Sequence, residues 1–472
     1  MQISQFVPHC TKDFSFKKMV DDSRQVNAGD VFVFDARLCA GAEKFIADAR
    51  AKGAVAIITN AEIAGEDIIA HQAPNAVLAQ WAKTQYSNQP ETLVAVTGTN
   101  GKTSVAWFFA QIMNFCGLKA GSVGTLGIFA GDKKVMETGF TAPTPLKFHE
   151  SLALLAKNGV KYACVEASSH ALTLNRLDGV KFQAAALTNI TQDHLDFHKT
   201  MEAYAQAKFR LFEDLLGEDG TAVLNVQRIE SLPLLALCKD RGQKVLTCGS
   251  ANAELVLNVQ AETAEGMQCT LKFNTLETAV AIPLLGRFQA QNVATALGLA
   301  LASGAPLEKA IQALPTLQAA PGRMELYGGN GKPVAVVDYA HTEDALRTAL
   351  SALRPLTKGQ LKVVFGCGGD RDSTKRPLMG KAAAELADAV IITDDNPRTE
   401  DAAKIRAQIK AAAPSALDIG NRAEAITTAI QNSNVGDVIL VAGKGHESGQ
   451  IIGKETLPFD DREQVRNAIQ NL

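Results

Sequence analysis

The stretch "AVTGTNGKTS", Ala95 to Ser104, decides the fold. Gly98 and Gly101 enclose two residues and lead into Lys102 and Thr103, whereas the common G-x-x-x-x-G-K-[ST] phosphate loop encloses four. Before it, "TLVAV" reads as a buried strand; after it, "KTSVAWFFAQIMNFCG" reads as a helix ended by Gly117. A strand, a tight glycine turn and a helix N-terminus gather backbone N–H groups and the positive end of the helix dipole on one spot, which suits a polyphosphate. Lys102 is expected to reach terminal phosphates, and the Thr103 hydroxyl to ligate Mg²⁺. On the loop alone, a glycine turn before an ordinary helix stays open as the alternative.

Outward from the loop the chain divides by pattern. At about 150 residues per domain, 472 residues imply roughly three units. Residues 1–90 mix short β-like runs, "DVFVFDA" and "AVAIIT", with one helix-like stretch, and end in the polar "TQYSNQPET". Over 91–322, apolar runs ("TLVAVTG", "YACVEA", "AAALTNI", "TAVLNV", "KVLTC") alternate with helical patterns, as a parallel sheet with buried strands does. After the Gly-rich "QAAPGRMELYGGNGKP" a separate α/β unit is expected over 323–472, through "VAVVDYAHTEDAL", "LKVVFGCGG", "AVIITDDN" and "DVILVAGKG". Ligands of open parallel sheets sit beyond the carboxyl ends of the strands. Both the loop after "TLVAV" and "GKGHE" after "DVILVA" fall there.

Composition excludes other classes. With 47 basic and 50 acidic residues, a formal net charge of -3, two Trp and five Tyr, nothing marks a nucleic-acid surface. The start "MQISQFVPHC" lacks a signal-peptide pattern and no apolar run is long enough to span a bilayer, so a soluble, cytoplasmic protein is expected. The eight cysteines (Cys10, Cys39, Cys116, Cys164, Cys238, Cys248, Cys269, Cys367) form no C-x-x-C pair and read as reduced core residues.

Further polar groups stand out downstream. Glu166 ends the apolar run in "CVEASSH" and is placed to hold a hard cation, although a strand-end acid is also a common loop charge. His194 and His198 in "TNITQDHLDFH" lie four apart and could share a helix face, but no H-E-x-x-H pattern or nearby thiolate marks a zinc site. Ser168, Ser169 and His170 lack the G-x-S-x-G turn of a hydrolase and read as substrate-binding groups.

Together with the loop, "EASSHAL", "TNITQDHLDFH", "AYAQAKFRLF", "PLLGRFQAQN", "APGRME", "DYAHTEDAL", "GCGGDRDSTKRPLMG", "TDDNPRTE" and "GKGHES" resemble, in order and spacing, the Mur ligases, ATP-dependent amide-bond-forming enzymes of peptidoglycan assembly. The likeness runs from about Asp22 to the end of the chain; the loop alone is equally similar to folylpolyglutamate synthetase. The resemblance implies an α/β protein of three domains. A central parallel-sheet P-loop ATPase domain is flanked by a small N-terminal α/β domain for the UDP end of the substrate and a C-terminal Rossmann-like domain that closes over the site. It implies ATP binding by Gly98, Thr99, Asn100, Gly101, Lys102, Thr103 and Ser104, with Asn292, Arg323 and Asp338, each of which could equally be a cap or a surface ion-pair residue. Thr103 and Glu166 resemble Mg²⁺ ligands, His194 is similar to a second-metal histidine, and Lys208 matches a lysine that the family carbamylates with CO₂; the residues alone make Lys208 a surface helix position.

By the same resemblance Ser23, Thr141, Ser168 and Arg176 hold a UDP-muramoyl-dipeptide. Arg371, Asp395, Asn396, Arg398, Gly443 and Glu447 surround the incoming amino acid, with an exposed arginine after a proline turn as the plain reading of Arg398. The implied reaction adds meso-2,6-diaminopimelate to UDP-N-acetylmuramoyl-L-alanyl-D-glutamate at the expense of ATP, in a monomer. An L-lysine-adding member, a folate-tailing ligase and a nucleotide switch are the alternatives; no N-K-x-D base-reading motif supports the last. "FDARLCAGAEKF" lacks the family's G-x-x-x-D-G stretch, "FTAPTP" stands for "TTP", Gln289 for Asn and Asn421 for Asp. None of these removes a metal- or phosphate-binding group.

Overall fold

The computed structural model describes residues 1–472 apart from 9, 11, 12, 39, 40, 138–140, 142, 250, 251 and 264. Three sheets follow one another along the chain. The first is all parallel, in order β1 (Met19–Val20), β2 (Val31–Phe34), β3 (Ala56–Thr59) and β4 (Ile68–Ala70). Two α-helices, Ala42–Ala51 and Pro74–Gln85, flank it where the sequence suggests one. In "AEKFIADARA" the buried positions are Ala42, Ile46 and Ala49, so alanines make up most of its apolar stripe.

The central sheet has eleven strands. In chain order they are β5 (Thr92–Thr97), β6 (Ala120–Gly124), β7 (Gly127–Ala130), β8 (Lys133–Met136), β9 (Tyr162–Glu166), β10 (Phe182–Leu187), β11 (Leu216–Asn225), β12 (Lys244–Cys248), β13 (Leu255–Thr263), β14 (Gly266–Phe273) and β15 (Leu276–Ile282). In space they run β15-β14-β13-β12-β11-β10-β5-β9-β6-β7-β8, parallel from β13 to β6, with an antiparallel ribbon at each side. β5 is buried on both faces: Val94 and Val96 pack with the helices Lys102–Phe115 and Phe288–Ala302, while Leu93 and Ala95 pack with Phe148, Leu152 and Leu155 of the opposite layer. That double burial explains why its sequence reads as an unbroken apolar run.

The third sheet has strands β16 (Glu325–Gly328), β17 (Val334–Asp338), β18 (Leu361–Phe365), β19 (Ala389–Ile392), β20 (Leu417–Asp418) and β21 (Val438–Ala442), in the order β16-β17-β21-β18-β19-β20, with only β16 antiparallel. A hairpin of β22 (Gly449–Ile452) and β23 (Glu455–Pro458) follows. The expected three-part α/β architecture is therefore present. Six of the seven described cysteines are buried free thiols and Cys10 is half-buried; Cys39 lies outside the described residues. Among the described residues no helix is long and apolar enough to cross a membrane.

Candidate active site

The carboxyl ends of the central parallel strands converge on the loop after β5. Gly98, at φ 144°, has Thr188 of the β10 end against its α-carbon so closely that a Cβ there would overlap the Thr188 hydroxyl. The loop backbone is held from β10: Thr99 N donates to Asn189 O at 2.9 Å and Asn100 N to Asn189 Oδ1 at 3.0 Å. The helix Lys102–Phe115 then begins, and its first-turn amides have no acceptor within the helix. Ser104 is buried in that turn.

Three side chains meet beside the loop. Thr103 Oγ1 donates to Glu166 Oε2 at 2.8 Å, and Glu166, the last residue of β9 and 2% exposed, also accepts from Thr125 N at 2.9 Å and Thr125 Oγ1 at 3.1 Å. Arg323 Nη2 donates to Thr103 Oγ1 at 3.3 Å. Lys102 Nζ donates back to the carbonyls of Gly98 and Thr99, both at 2.9 Å. Burial pulls the Lys102 pKa down against the pull of Glu166 and Asp193.

Lys208 is a correction to the plain sequence reading. It is 1% exposed, donates Nζ to the Gly98 carbonyl at 2.9 Å and lies 4.3 Å from the centre of the Tyr204 ring. Burial, followed by the nearby Lys102 charge, pushes its pKa well below that of free lysine. The physical reason for its burial is that Tyr204 and Lys208, one turn apart on the helix Met201–Arg210, both face the loop, where Tyr204 OH also meets Thr99 Oγ1 at 3.0 Å. His194 sits at φ 55° as the cap of the short helix Leu195–His198, and its carbonyl accepts from His198 N at 2.9 Å. Both rings lie beside His170, at 4.7 Å and 5.6 Å between centres, and His194 Nε2 lies 3.4 Å from Asp193 Oδ2.

The residues expected to contact ATP line the same region. Asn292 carries its Oδ1 against Gly101, and its amide donates to Gln289 Oε1 at 2.7 Å, so the substituted Gln289 orients it. Asp338, at the end of β17, accepts from Met324 N and Ala340 N, both at 2.8 Å, and burial raises its pKa. It thereby fixes the turn carrying Arg323. Asn100 Nδ2 donates to Asp344 Oδ2 at 3.2 Å, a direct contact from the loop to the third sheet's region.

The residues expected around the amino acid gather at the ends of β19 and β21. Asn396 Nδ2 donates to Glu447 Oε2 at 2.8 Å, and Asn396 Oδ1 accepts from Lys444 Nζ at 2.9 Å and Ile451 N at 3.0 Å. Asp395 packs against Gly443, where a Cβ would stand 2.7 Å from Asp395 Oδ2. Arg398, half-buried at φ 51°, donates Nη1 to Gly369 O at 2.8 Å; Gly368 packs against both Arg398 and Arg371. Asn421 accepts from Glu424 N at 3.2 Å as the cap of the helix Arg422–Gln431, a role its amide fills as an aspartate would.

The dipeptide-binding candidates are more spread. Thr141 Oγ1 accepts from Thr125 Oγ1 at 3.0 Å and so adjoins Glu166, while Ser168 caps the helix Ser169–Thr173 two residues beyond Glu166. Arg176 feels burial first and then the carboxylates of Asp21 and Asp35. Ser23 lies in the first α/β unit, its carbonyl held by Lys52 Nζ at 3.0 Å. Sequence reasoning missed Thr125, Tyr204, Tyr339, Asp344 and Lys444. The one-turn spacing of Tyr204 and Lys208 was an available signal; the others depend on segments distant in sequence.

Residues present fit an anion and a hard cation. The buried Arg323 Nε lacks a partner beside Thr103, while Thr103 and Glu166 present adjacent oxygens. Models of the Mur ligase middle domain and of the Mur ligase glutamate ligase domain match residues 96–300 and 322–445. UDP-N-acetylmuramoyl-L-alanyl-D-glutamate–2,6-diaminopimelate ligases of Agrobacterium fabrum and Rhizobium meliloti are 44% identical over 454 residues and 45% over 456. Each alignment covers 96% of this chain, and 92% and 93% of the relatives. A solved structure of a ligase of the same name aligns over 100% of this chain and 99% of its own with a TM-score of 0.70 at 33% identity. The folylpolyglutamate synthase of Thermotoga maritima, at 18% identity and a TM-score of 0.63 over 79% of this chain and 91% of its own, shares the fold. The chain belongs to the Mur ligase family of ATP-dependent, amide-bond-forming ligases.

Proposed function

We propose that this chain adds meso-2,6-diaminopimelate to the D-glutamyl γ-carboxylate of UDP-N-acetylmuramoyl-L-alanyl-D-glutamate through an acyl phosphate formed with ATP. The observation that carries the reading is the convergence of Lys102, Thr103, Glu166, Lys208 and Arg323 on one phosphate loop, with the Asn396–Glu447 cluster at the facing strand ends. A carboxylate and a polyphosphate repel, so activation needs positive groups placed where charge develops. Lys102 would exchange the Gly98 and Thr99 carbonyls for phosphate oxygens, and the unpartnered Arg323 Nε offers a further donor. Thr103, Glu166, His194 and Lys208 as its carbamate would hold Mg²⁺, which supplies charge neutralisation when bound. Arg176, Ser168 and Thr141 orient the dipeptide end, and Ser23 the UDP end.

On the other side Arg398 offers a planar fork to the distal carboxylate of diaminopimelate, which lysine lacks, and Glu447 and Asp395 face its ammonium groups. Closure of the third sheet's region over the loop, supported by the Asn100–Asp344 contact, excludes water from the acyl phosphate. Phosphate release measured over a panel of UDP-muramoyl peptides and amino acids tests the assignment. Turnover is expected with the dipeptide and diaminopimelate together; equal use of L-lysine, or use of a pteroyl-glutamate, would replace it with the corresponding ligase. Nucleotide hydrolysis that no amino acid stimulates would point to a switch instead.

A further inference from the structure

Tyr339, in the turn after β17, touches both halves of the site. Its ring faces the Arg323 guanidinium at 4.3 Å, and Arg323 reaches Thr103 Oγ1 at 3.3 Å. Its hydroxyl donates to Glu447 Oε1 at 3.4 Å, and the other oxygen of Glu447 is held by Asn396 at 2.8 Å and by the fully buried Lys444 at 3.2 Å. Three neighbours pack against Tyr339. His446 packs on it at 5.2 Å and His341 at 4.6 Å, while Gly445, at φ 55°, lies so close that a Cβ would stand 2.8 Å from Tyr339 Cβ.

We propose that Tyr339 is a positioning residue that makes amino-acid binding at Glu447 and the placement of Arg323 beside Thr103 depend on each other. The inference rests on the assignment of Glu447 to amino-acid binding made above. A guanidinium over an aromatic face is held by the ring quadrupole, so the ring fixes where Arg323 presents its N–H groups. The phenol is one rigid plate: an ammonium that draws Glu447 moves the hydroxyl, and the ring face under Arg323 moves with it. Such a coupling is reciprocal, so nucleotide and amino acid each tighten the other's binding.

Tyr339→Phe and Tyr339→Leu in the full chain separate the two contacts. Phe keeps the face for Arg323 and loses the bond to Glu447. It is expected to raise KM for diaminopimelate about three- to tenfold, with nucleotide affinity measured alone within about twofold of the parent. Leu removes both, so nucleotide affinity falls as well, and diaminopimelate no longer tightens nucleotide binding. If Leu prevents folding, seen as a lost melting transition, the Phe variant still decides. Equal factors on both substrates in the Phe variant, or a change in melting temperature alone, would overturn the proposal. A parent enzyme that does not use diaminopimelate would defeat the functional reading instead, and the same split is then read with the amino acid it does use.

Discussion

Lys208 is a buried amine set beside a second lysine. Its ammonium shares the Gly98 carbonyl with Lys102, and burial and that neighbour both favour the neutral amine. The sign matters: a pKa below the 10.5 of free lysine exposes amine at a lower pH, and only the amine attacks CO₂. Carbamylation would convert one of two like charges into an anion. Lys208→Ala should therefore be nearly inactive, and acetate or formate should restore part of the turnover by taking the carbamate's place. Full activity of an intact mass that lacks the CO₂ adduct, in bicarbonate buffer, would refute this. Arg398 is the other residue with a sharp expectation. Loss of a charge-assisted bond costs about 1.5–3 kcal/mol, so Arg398→Ala should lower kcat/KM for diaminopimelate about ten- to a hundredfold and leave the poor use of lysine nearly unchanged. Equal losses on both amino acids would remove Arg398 from recognition of the distal carboxylate.

The elements that place these residues were legible to different degrees. β5, the glycine turn and the helix Lys102–Phe115 were readable because strand, turn and cap are local in sequence. Glu166 was readable as a strand end. What presses on it was not: β6 pairs with β9 in parallel, bringing Gly124 against the carboxylate from a segment over forty residues away. A Cβ at Gly124 would overlap Glu166 Oε1. Gly124→Ala should displace that carboxylate from Thr103 and Thr125 and lower turnover by roughly a hundredfold while the far-UV spectrum stays unchanged, since a misplacement of about 1 Å is worth that much. Near-parental turnover would mean that Glu166 need not sit where it does. The burial of Lys208 was hinted at only by its one-turn spacing from Tyr204, and Tyr339 was illegible, as a tyrosine in a turn acquires partners only when distant strands meet. The four-residue spacing of His194 and His198 was readable, since His198 N donates to the His194 carbonyl at 2.9 Å, whereas the left-handed backbone of His194 was not.

At the scale of the whole molecule, a buried histidine ties the segment that joins the first α/β unit to the central one. His149, on the helix Pro145–Lys157, is fully buried between Gln89 and the loop at Asp178 and Gly179. Gln89 Nε2 lies 2.9 Å from Nδ1, and Nε2 lies 3.0 Å from the Asp178 carbonyl. The neutral ring with its proton on Nε2 satisfies both, since Nδ1 then accepts from the amide and Nε2–H donates to the carbonyl. A second proton would set a donor against a donor. Burial lowers the pKa from 6.5 to about 4, opposed by the bond to Asp178. As pH falls through 6.5 the unfolded chain takes up the proton first and the folded one does not until about 4, so stability is present above 6.5 and drawn down across that window. One unit is about 1.4 kcal/mol, which puts the effect at a few kcal/mol at most. His341, also lowered to about 4, adds to the same trend at the interface of the loop and the third sheet's region. The melting temperature of the parent should fall steadily from pH 7 to 4.5, and His149→Gln, which carries no titrating ring, should show a shallower slope even if it starts from a lower value. Parallel slopes would place the acid sensitivity elsewhere and leave His149 as a packing residue alone.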